Sequence, residues 1–152
     1  MMDKKVIITC GIPGSGKTTW KNKFLKESGT EFVTIHPDSI RKELTGSEED
    51  QSKNVEVFEL AFSRLNASLK EGKSVIFDSC AQNKERRRRI IAIAKNNNAK
   101  ILVVVFNISL ELAKTRNSMR DRVVPEFVLD KMHGSWQEPS LSEGIDEIIY
   151  KK

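Results

Sequence analysis

The sequence predicts a single α/β domain, residues 1–152, in which a mostly parallel, five-stranded sheet lies between layers of helices. Short apolar runs alternate along the chain with segments of helical periodicity, which is typical of strands joined by crossover helices. The runs are rich in Val and Ile and lack polar alternation, as expected of strands that are covered on both faces. A glycine-rich loop separates the first run from the first helix, which places a ligand site at that edge of the sheet.

The elements follow in order from these patterns. The predicted strands cover residues 6–8, 32–35, 74–77, 101–106 and 148–150, the last of them at an edge of the sheet. The predicted helices cover residues 17–28, 53–70, about 84–95 and about 109–119, with further helices beginning near Ser39 and at Pro125. In the helix over 53–70, helical spacing places five residues on one face: Val57, Leu60, Ala61, Leu65 and Leu69.

Composition restricts the class of protein. The net charge of +5, from 26 basic and 21 acidic residues, suits a phosphorylated or polyanionic ligand. No apolar run approaches the roughly 18 residues that a membrane helix needs. Cys10 and Cys80 are too few and too far apart for a disulfide framework or a zinc site, so we expect two small side chains in a reduced, cytoplasmic setting.

The glycine-rich loop, GIPGSGKT at residues 11–18, matches the full pattern G-x-x-x-x-G-K-[ST] between a strand and a helix. Backbone amides of such a loop and the start of the helix attract phosphate oxygens. We predict that Lys17 reaches the β- and γ-phosphates of ATP and that the Thr18 hydroxyl binds Mg²⁺. The residues of the loop predicted to bind ATP are Gly11, Pro13, Gly14, Ser15, Gly16, Lys17, Thr18 and Thr19.

Two carboxylates follow predicted strands and are candidates for the same site. Asp78 ends the third strand, where it could orient Mg²⁺ through a water molecule or could simply cap the next segment. Asp38 follows the second strand, where we expect it to cap the next helix, which alone would explain the residue; in a kinase it could also accept the proton of a hydroxyl acceptor. Arg41 lies one turn further along, placed to hold a phosphate of that acceptor.

Arginines are concentrated in two further segments. In residues 114–127, Arg116 and Arg120 are expected on one helix face, with Arg122 in the loop beyond, as in a lid that compensates the charge of a transferred phosphoryl group. The alternative is a solvated basic helix end. Residues 86–89 are four consecutive arginines, which a helix spreads over all its faces. A solvated helix with Ile90, Ile91 and Ala94 inward is one interpretation, and a nucleic-acid track is the other.

Taken in order, these segments resemble the kinase domain of phage-type polynucleotide kinases and their bacterial relatives, over nearly the whole chain. The motifs that carry the resemblance are GIPGSGKTTW, HPDSIRKEL, IFDSC with NKERRR, RNSMRDRVVPEFVLDKM and the tail WQEPSLSEGIDEIIY. The resemblance implies a P-loop kinase fold and ATP-dependent phosphorylation of 5′-hydroxyl ends of DNA or RNA, with Mg²⁺ as cofactor.

By matching positions, the resemblance implies that Lys17 and Thr18 hold ATP and magnesium, that Asp38 is the general base and that Arg41 holds the phosphate 3′ to the terminal nucleoside. Arg120, and more weakly Arg116, would contact the ATP phosphates from the lid. The chain departs from the family pattern after Asp78, where Cys80 and Ala81 replace a frequent Thr-Asn pair. It also has no Asp-x-Asp motif, so we expect no 3′-phosphatase activity.

Two other function classes remain open at the level of the sequence. A P-loop kinase of a small hydroxyl compound, such as a nucleoside, a sugar or an antibiotic, would use the same base and the same lid. A nucleotide-binding switch without catalysis would bind ATP without depending on Asp38. A broad basic surface beside Asp38 would favour nucleic acid, whereas a closed apolar pocket would favour a small acceptor.

Overall fold

The structure, a computed structural model, describes residues 3–28 and 31–151. Within that part of the chain, five strands form one sheet in the order β2-β3-β1-β4-β5, and every pairing is parallel. The strands are β1 (Lys5–Cys10), β2 (Phe32–Ile35), β3 (Ser74–Asp78), β4 (Lys100–Phe106) and β5 (Glu147–Lys151). The predicted α/β class and the edge position of the last strand are confirmed, and the sheet is wholly rather than mostly parallel.

Helices connect the strands close to the predicted positions. They are α1 (Lys17–Glu27), α2 (Pro37–Thr45), α3 (Asn54–Lys70), α4 (Lys84–Asn96), α5 (Leu110–Ser118) and α6 (Glu126–Gly134). Helix α2 begins before the predicted residue 39, because the fixed φ of proline suits the first position of a helix. None of the helices in the two described ranges is long and apolar enough to cross a membrane.

Both faces of the sheet are covered, which explains the continuous apolar runs. Val6 and Ile8 face the larger hydrophobic cluster, which includes the inner faces of α3 and α4. Ile7, which points the other way, packs in a second cluster that includes Trp20 and Phe24 of α1. The predicted inward residues of α4 are buried, and so is the predicted face of α3 except for Leu60, which is only partly covered.

The register of the strands brings the candidate residues to one edge of the sheet. Thr9 near the end of β1 pairs with Asp78 at the end of β3, and Ile35 at the end of β2 pairs with Phe77. The loops that follow these three strands therefore begin side by side. This edge of carboxyl ends is where open parallel sheets bind ligands.

Candidate active site

The glycine-rich loop wraps in front of α1 with the backbone geometry of a phosphate cradle. Gly14 and Gly16 have φ angles of 86° and 99°, in the left-handed region that favours glycine, and Gly16 is the N-cap residue of α1. The amide of Gly11 donates a hydrogen bond of 2.9 Å to the carbonyl of Cys80, which joins this loop to the one that follows β3. The buried Ser15 Oγ has no hydrogen-bond partner among the described residues, so it is available to an incoming oxygen.

A side chain at position 14 is excluded both by the positive φ of Gly14 and by close contact with α5. A Cβ atom at this position would lie 2.4 Å from the Ala113 carbonyl oxygen of α5, whereas a Cβ at Gly46, with φ 87°, would have no atom of the described residues within 4 Å apart from its chain neighbours. We expect Gly14→Ala to lower the free energy of unfolding by about 1–3 kcal/mol more than Gly46→Ala does. Both substitutions strain a backbone with positive φ, but only Gly14→Ala also brings its Cβ into overlap with the Ala113 carbonyl. Gly14→Ala should also weaken ATP binding. Thermal unfolding and ATP titration of both variants provide the test, and equal effects would contradict it.

Lys17 and Asp78 lie on either side of the loop. Lys17 Nζ donates a hydrogen bond to the Gly11 carbonyl and lies 3.1 Å from Cys80 Sγ. Asp78, which is buried, forms a 2.7 Å ion pair with Lys21 and accepts a 3.2 Å hydrogen bond from the Thr9 hydroxyl. Burial acts to raise the pKa of the Asp78 carboxyl, but the hydrogen bond from Lys21 and the nearby positive charges outweigh it, and the pKa lies below its ordinary value. Asp78 is therefore an ionised, fixed carboxylate.

Asp38 is held between two arginines from different elements. Its Oδ1 accepts a 2.5 Å hydrogen bond from Nη1 of Arg41, and its Oδ2 a 2.9 Å bond from Nη1 of Arg122. Asp38 lies in the first turn of α2, and the predicted N-cap role is wrong: the N-cap is His36, because Pro37 already begins the helix. Burial alone would raise the pKa of Asp38, but the Arg122 and His36 charges and the arginine hydrogen bonds lower it below the ordinary value.

The two arginines differ in how firmly they are placed. Arg41 is buried, and its Nε donates a 3.1 Å hydrogen bond to Asn54 Oδ1 at the start of α3. Arg122 lies on the loop between α5 and α6; it also approaches the Glu48 carboxylate at 3.5 Å, and its Nε is buried without a hydrogen-bond partner in the described residues. Arg41 is thus firmly placed, whereas Arg122 is held only through its pairs with carboxylates and a carbonyl.

The segment predicted to be a lid, residues 114–127, falls in α5, the loop that follows it and the start of α6. Asn117 is buried, donates a 2.6 Å hydrogen bond to the Val124 carbonyl and accepts one of 3.0 Å from the Val124 amide, which folds the loop back onto α5. Arg116 lies beside Gly16 of the phosphate cradle. Arg120 is not on the same helix face as predicted, because α5 ends at Ser118; it lies exposed in the loop.

One open groove of about 1840 Å³ connects these parts. The cradle, Lys17, Asp38, Arg41, Arg116 and Arg120 all line it, so the structure brings together the residues predicted from separate segments. Basic side chains outnumber acidic ones along its walls. A donor phosphate bound to the cradle and an acceptor bound beside Asp38 would share this groove, which is the arrangement that group transfer between two substrates requires.

Sequence reasoning missed two partners in this site. Lys21, the partner of Asp78, lies one helical turn after Lys17, so its place on the same face of α1 was a usable signal. The pairing of Arg122 with Asp38 joins residues 84 positions apart, and no local pattern indicates it.

Cys10 is buried, which raises the pKa of its thiol to about 12, and Cys80 is partly buried; both thiols are free, as expected.

Comparison with known proteins gives both a family and a set of similar folds. A family model described as an AAA domain matches residues 6–139. The human heterogeneous nuclear ribonucleoprotein U-like protein 2 is 28% identical over 160 residues, which cover 96% of this chain and 21% of the relative. This chain therefore spans about a fifth of the length of that curated relative.

The solved structures of similar fold include a chain of an RNA repair complex and a gluconokinase. A chain of the Pnkp1/Rnl/Hen1 RNA repair complex superposes with a TM-score of 0.78 at 21% identity, covering 89% of this chain and 44% of the other. A gluconokinase from Sinorhizobium meliloti superposes with a TM-score of 0.63 at 15% identity, covering 99% of this chain and 83% of the other. At these identities the likeness establishes the α/β fold alone.

Proposed function

This chain belongs to the AAA domain family, and from the geometry of its site we propose that it is an ATP-dependent kinase that phosphorylates 5′-hydroxyl ends of DNA or RNA. The observation that carries the proposal is the ionised Asp38 carboxylate, next to the buried Arg41, in the same groove as the Lys17 cradle. A carboxylate that accepts a hydroxyl proton, a cation for a neighbouring phosphate and a cradle for ATP are the parts that this reaction needs.

On the donor side, the amides of the cradle and Lys17 would hold the β- and γ-phosphates of ATP. The buried Ser15 hydroxyl, which lacks a partner among the described residues, could donate a hydrogen bond to a phosphate oxygen. Arg116 and Arg120 form no ion pair within the part of the chain that the structure describes, so both guanidinium charges are free to stabilise the transferred phosphoryl group.

The residues present also suit Mg²⁺. The exposed Thr18 hydroxyl lines the groove, and hydroxyl, phosphate and water oxygens are the ligands that Mg²⁺ prefers. The described residues contain no cluster of three or more His, Cys, Asp or Glu side chains, so the ion would depend on ATP for much of its coordination. Asp78, fixed by Lys21, would orient a water of the ion rather than bind it directly. When bound, Mg²⁺ would neutralise charge on the β- and γ-phosphates.

On the acceptor side, Asp38 would accept the proton of the 5′-hydroxyl as its oxygen attacks the γ-phosphorus. Arg41 would hold the phosphate on the 3′ side of the terminal nucleoside. Arg122 donates one hydrogen bond to Oδ2 of Asp38, and because a carboxylate oxygen has two lone pairs, a hydroxyl could share this oxygen with Arg122 or displace it. Because Arg122 belongs to the proposed lid, a movement of that segment would displace it.

The size of the groove supports a polymeric acceptor. Its volume of about 1840 Å³ exceeds the roughly 300–1,000 Å³ of ordinary small-molecule pockets, and ATP would fill only part of it.

The second candidate is a kinase of a small hydroxyl compound. The observation that favours it is local: Glu48 and Glu49 lie beside Arg122 at 3.5 and 4.0 Å, and carboxylates there would repel a phosphodiester chain.

Transfer of labelled γ-phosphate from ATP to 5′-hydroxyl DNA and RNA oligonucleotides, with nucleosides and sugars in parallel, tests the proposal. We expect label on the oligonucleotide ends and a loss of at least about a hundredfold in Lys17→Ala, because the phosphoryl group loses its main cation. Lys26→Ala, an exposed lysine of α1 outside the groove, is the matched control and should keep full activity. Label on a small acceptor alone would replace the polynucleotide by the second candidate, and ATP binding without any transfer would indicate a non-catalytic switch.

A further inference from the structure

The run of four arginines at residues 86–89 separates into different roles in the structure. Arg87 is fully buried and paired with Glu143 at 2.9 Å. Arg88 pairs with Glu85 at 3.1 Å and Arg89 with Glu59 at 2.5 Å. Arg86, which is exposed, forms no ion pair within the described ranges 3–28 and 31–151. It is also the member of the run that lines the groove of the candidate active site.

The guanidinium of Arg86 lies over an aromatic ring that faces the same groove. Its Cζ is 5.8 Å from the centre of the Phe58 ring, which belongs to α3 and is partly buried. Phe58 follows Asn54, the hydrogen-bond partner of Arg41, by four residues. Four residues of helix rise about 6 Å, so Phe58 lies on the same side of α3 as Asn54, and Phe58 and Arg86 line the groove that also contains Asp38 and Arg41.

We propose that Arg86 and Phe58 form a second acceptor subsite, which binds a single-stranded nucleic acid downstream of its 5′-terminal nucleotide. This inference rests on the proposed function. The guanidinium would pair with a phosphate beyond the one that Arg41 holds, and the stacked guanidinium and ring offer a flat surface for the adjoining base. Contacts of these two kinds are independent of base identity, so the subsite would select for strand length rather than for sequence.

A structural role for Arg86 is a weaker explanation of its position. Helices α3 and α4 are already joined by Arg89, which pairs with Glu59 and lies 4.6 Å from the centre of the Phe62 ring. A residue that served only to join the helices would affect all acceptors alike. A residue that binds the downstream strand affects long acceptors more than short ones, and this difference is measurable.

The test measures kcat/KM for a nucleoside 3′-monophosphate and for 5′-hydroxyl oligonucleotides of increasing length. We expect Arg86→Ala to lower kcat/KM about tenfold for acceptors that reach the subsite, as one lost phosphate or stacking contact does, with a much smaller loss on the monophosphate. Arg88→Ala removes the same charge from the same helix outside the groove, and it should match the wild type. Phe58→Leu, which keeps an apolar side chain, should share the length-dependent loss.

Three other results are possible, and each can be distinguished from the expected one. Equal kcat/KM values for Arg86→Ala and Arg88→Ala on long acceptors would overturn the subsite while leaving the kinase assignment intact. Equal losses on long and short acceptors, with a lowered melting temperature, would assign Arg86 a structural role instead. If the wild-type protein phosphorylates the monophosphate or another small acceptor but no oligonucleotide, the proposed polynucleotide function fails and the subsite fails with it.

Discussion

Replacing Asp38 by asparagine is expected to lower the turnover of phosphoryl transfer by about 10²–10⁴-fold while ATP affinity stays nearly unchanged. Asparagine keeps the shape of the side chain and one oxygen acceptor, but it cannot take the proton of the attacking hydroxyl. The affinity for ATP should persist because the cradle is the loop between β1 and α1 and Lys17 begins α1, whereas Asp38 belongs to α2. Single-turnover rates with a 5′-hydroxyl oligonucleotide, together with calorimetric titration of ATP, measure the two quantities separately.

The matched control is Asp121→Asn, which changes an exposed aspartate of the lid that lines the same groove. It removes one negative charge near the acceptor but no partner of Arg41 or Arg122, so we expect nearly wild-type turnover. A similar loss in both variants would mean that negative charge in the groove matters rather than a base at residue 38. Full activity of Asp38→Asn would refute the assignment of Asp38 as the base.

The lowered pKa of Asp38 also constrains the pH dependence. The folded-state pKa lies below the ordinary value of 3.8, so the carboxylate is the resident form at every pH above about 5. The stabilising pairs with Arg41 and Arg122 are correspondingly present above the unfolded-state pKa and are lost only as the pH falls through the folded-state pKa. Titration of Asp38 should therefore not lower kcat/KM between about pH 8 and pH 5. A fall of kcat/KM in that range, with an apparent pKa near 6, would belong to another group.

Replacing Arg87 by methionine is expected to destabilise the fold by about 3–5 kcal/mol, the usual result of removing one member of a buried ion pair. Arg87 is fully buried and donates to both carboxylate oxygens of Glu143, to the Ala81 carbonyl at 2.7 Å and to the Gln137 carbonyl at 2.9 Å. Methionine fills similar space but removes all four of these hydrogen bonds and leaves the Glu143 carboxylate without its cation. Chemical denaturation should give the loss directly, and the melting temperature should fall by roughly 10 °C.

Two further variants separate charge burial from packing. Arg88→Met changes a neighbouring arginine whose side chain is 72% exposed, so its effect should stay within about 0.5 kcal/mol. Adding Glu143→Leu to Arg87→Met removes the stranded carboxylate and should recover part of the lost stability, because the two effects are coupled. If Arg87→Met alone costs less than about 1 kcal/mol, the buried pair contributes little and the loop after β3 is held by other contacts.

Those features of the molecule that depend on short stretches of chain were predictable. The cradle follows from one octapeptide, and the strands and helices follow from periodicities that recur within ten to twenty residues. The start of α2 was misplaced, and Asp38 with it, because a proline two positions earlier than expected begins the helix. Arg120 was predicted on the same helix face as Arg116, but α5 stops at Ser118, two residues before Arg120.

The sequence by itself determined the α/β architecture, the phosphate cradle and the candidate residues Lys17, Asp38 and Arg41, since each is encoded by a local pattern. The tertiary structure alone decided which arginine meets which partner. Arg122 reaches Asp38 across 84 residues, and Arg87 reaches Glu143 across 56, while Arg86 stays without a carboxylate in the described chain. The physical reason is that a guanidinium carries the same charge at every position, and only the packing of distant elements decides which acceptors lie within hydrogen-bond distance of it.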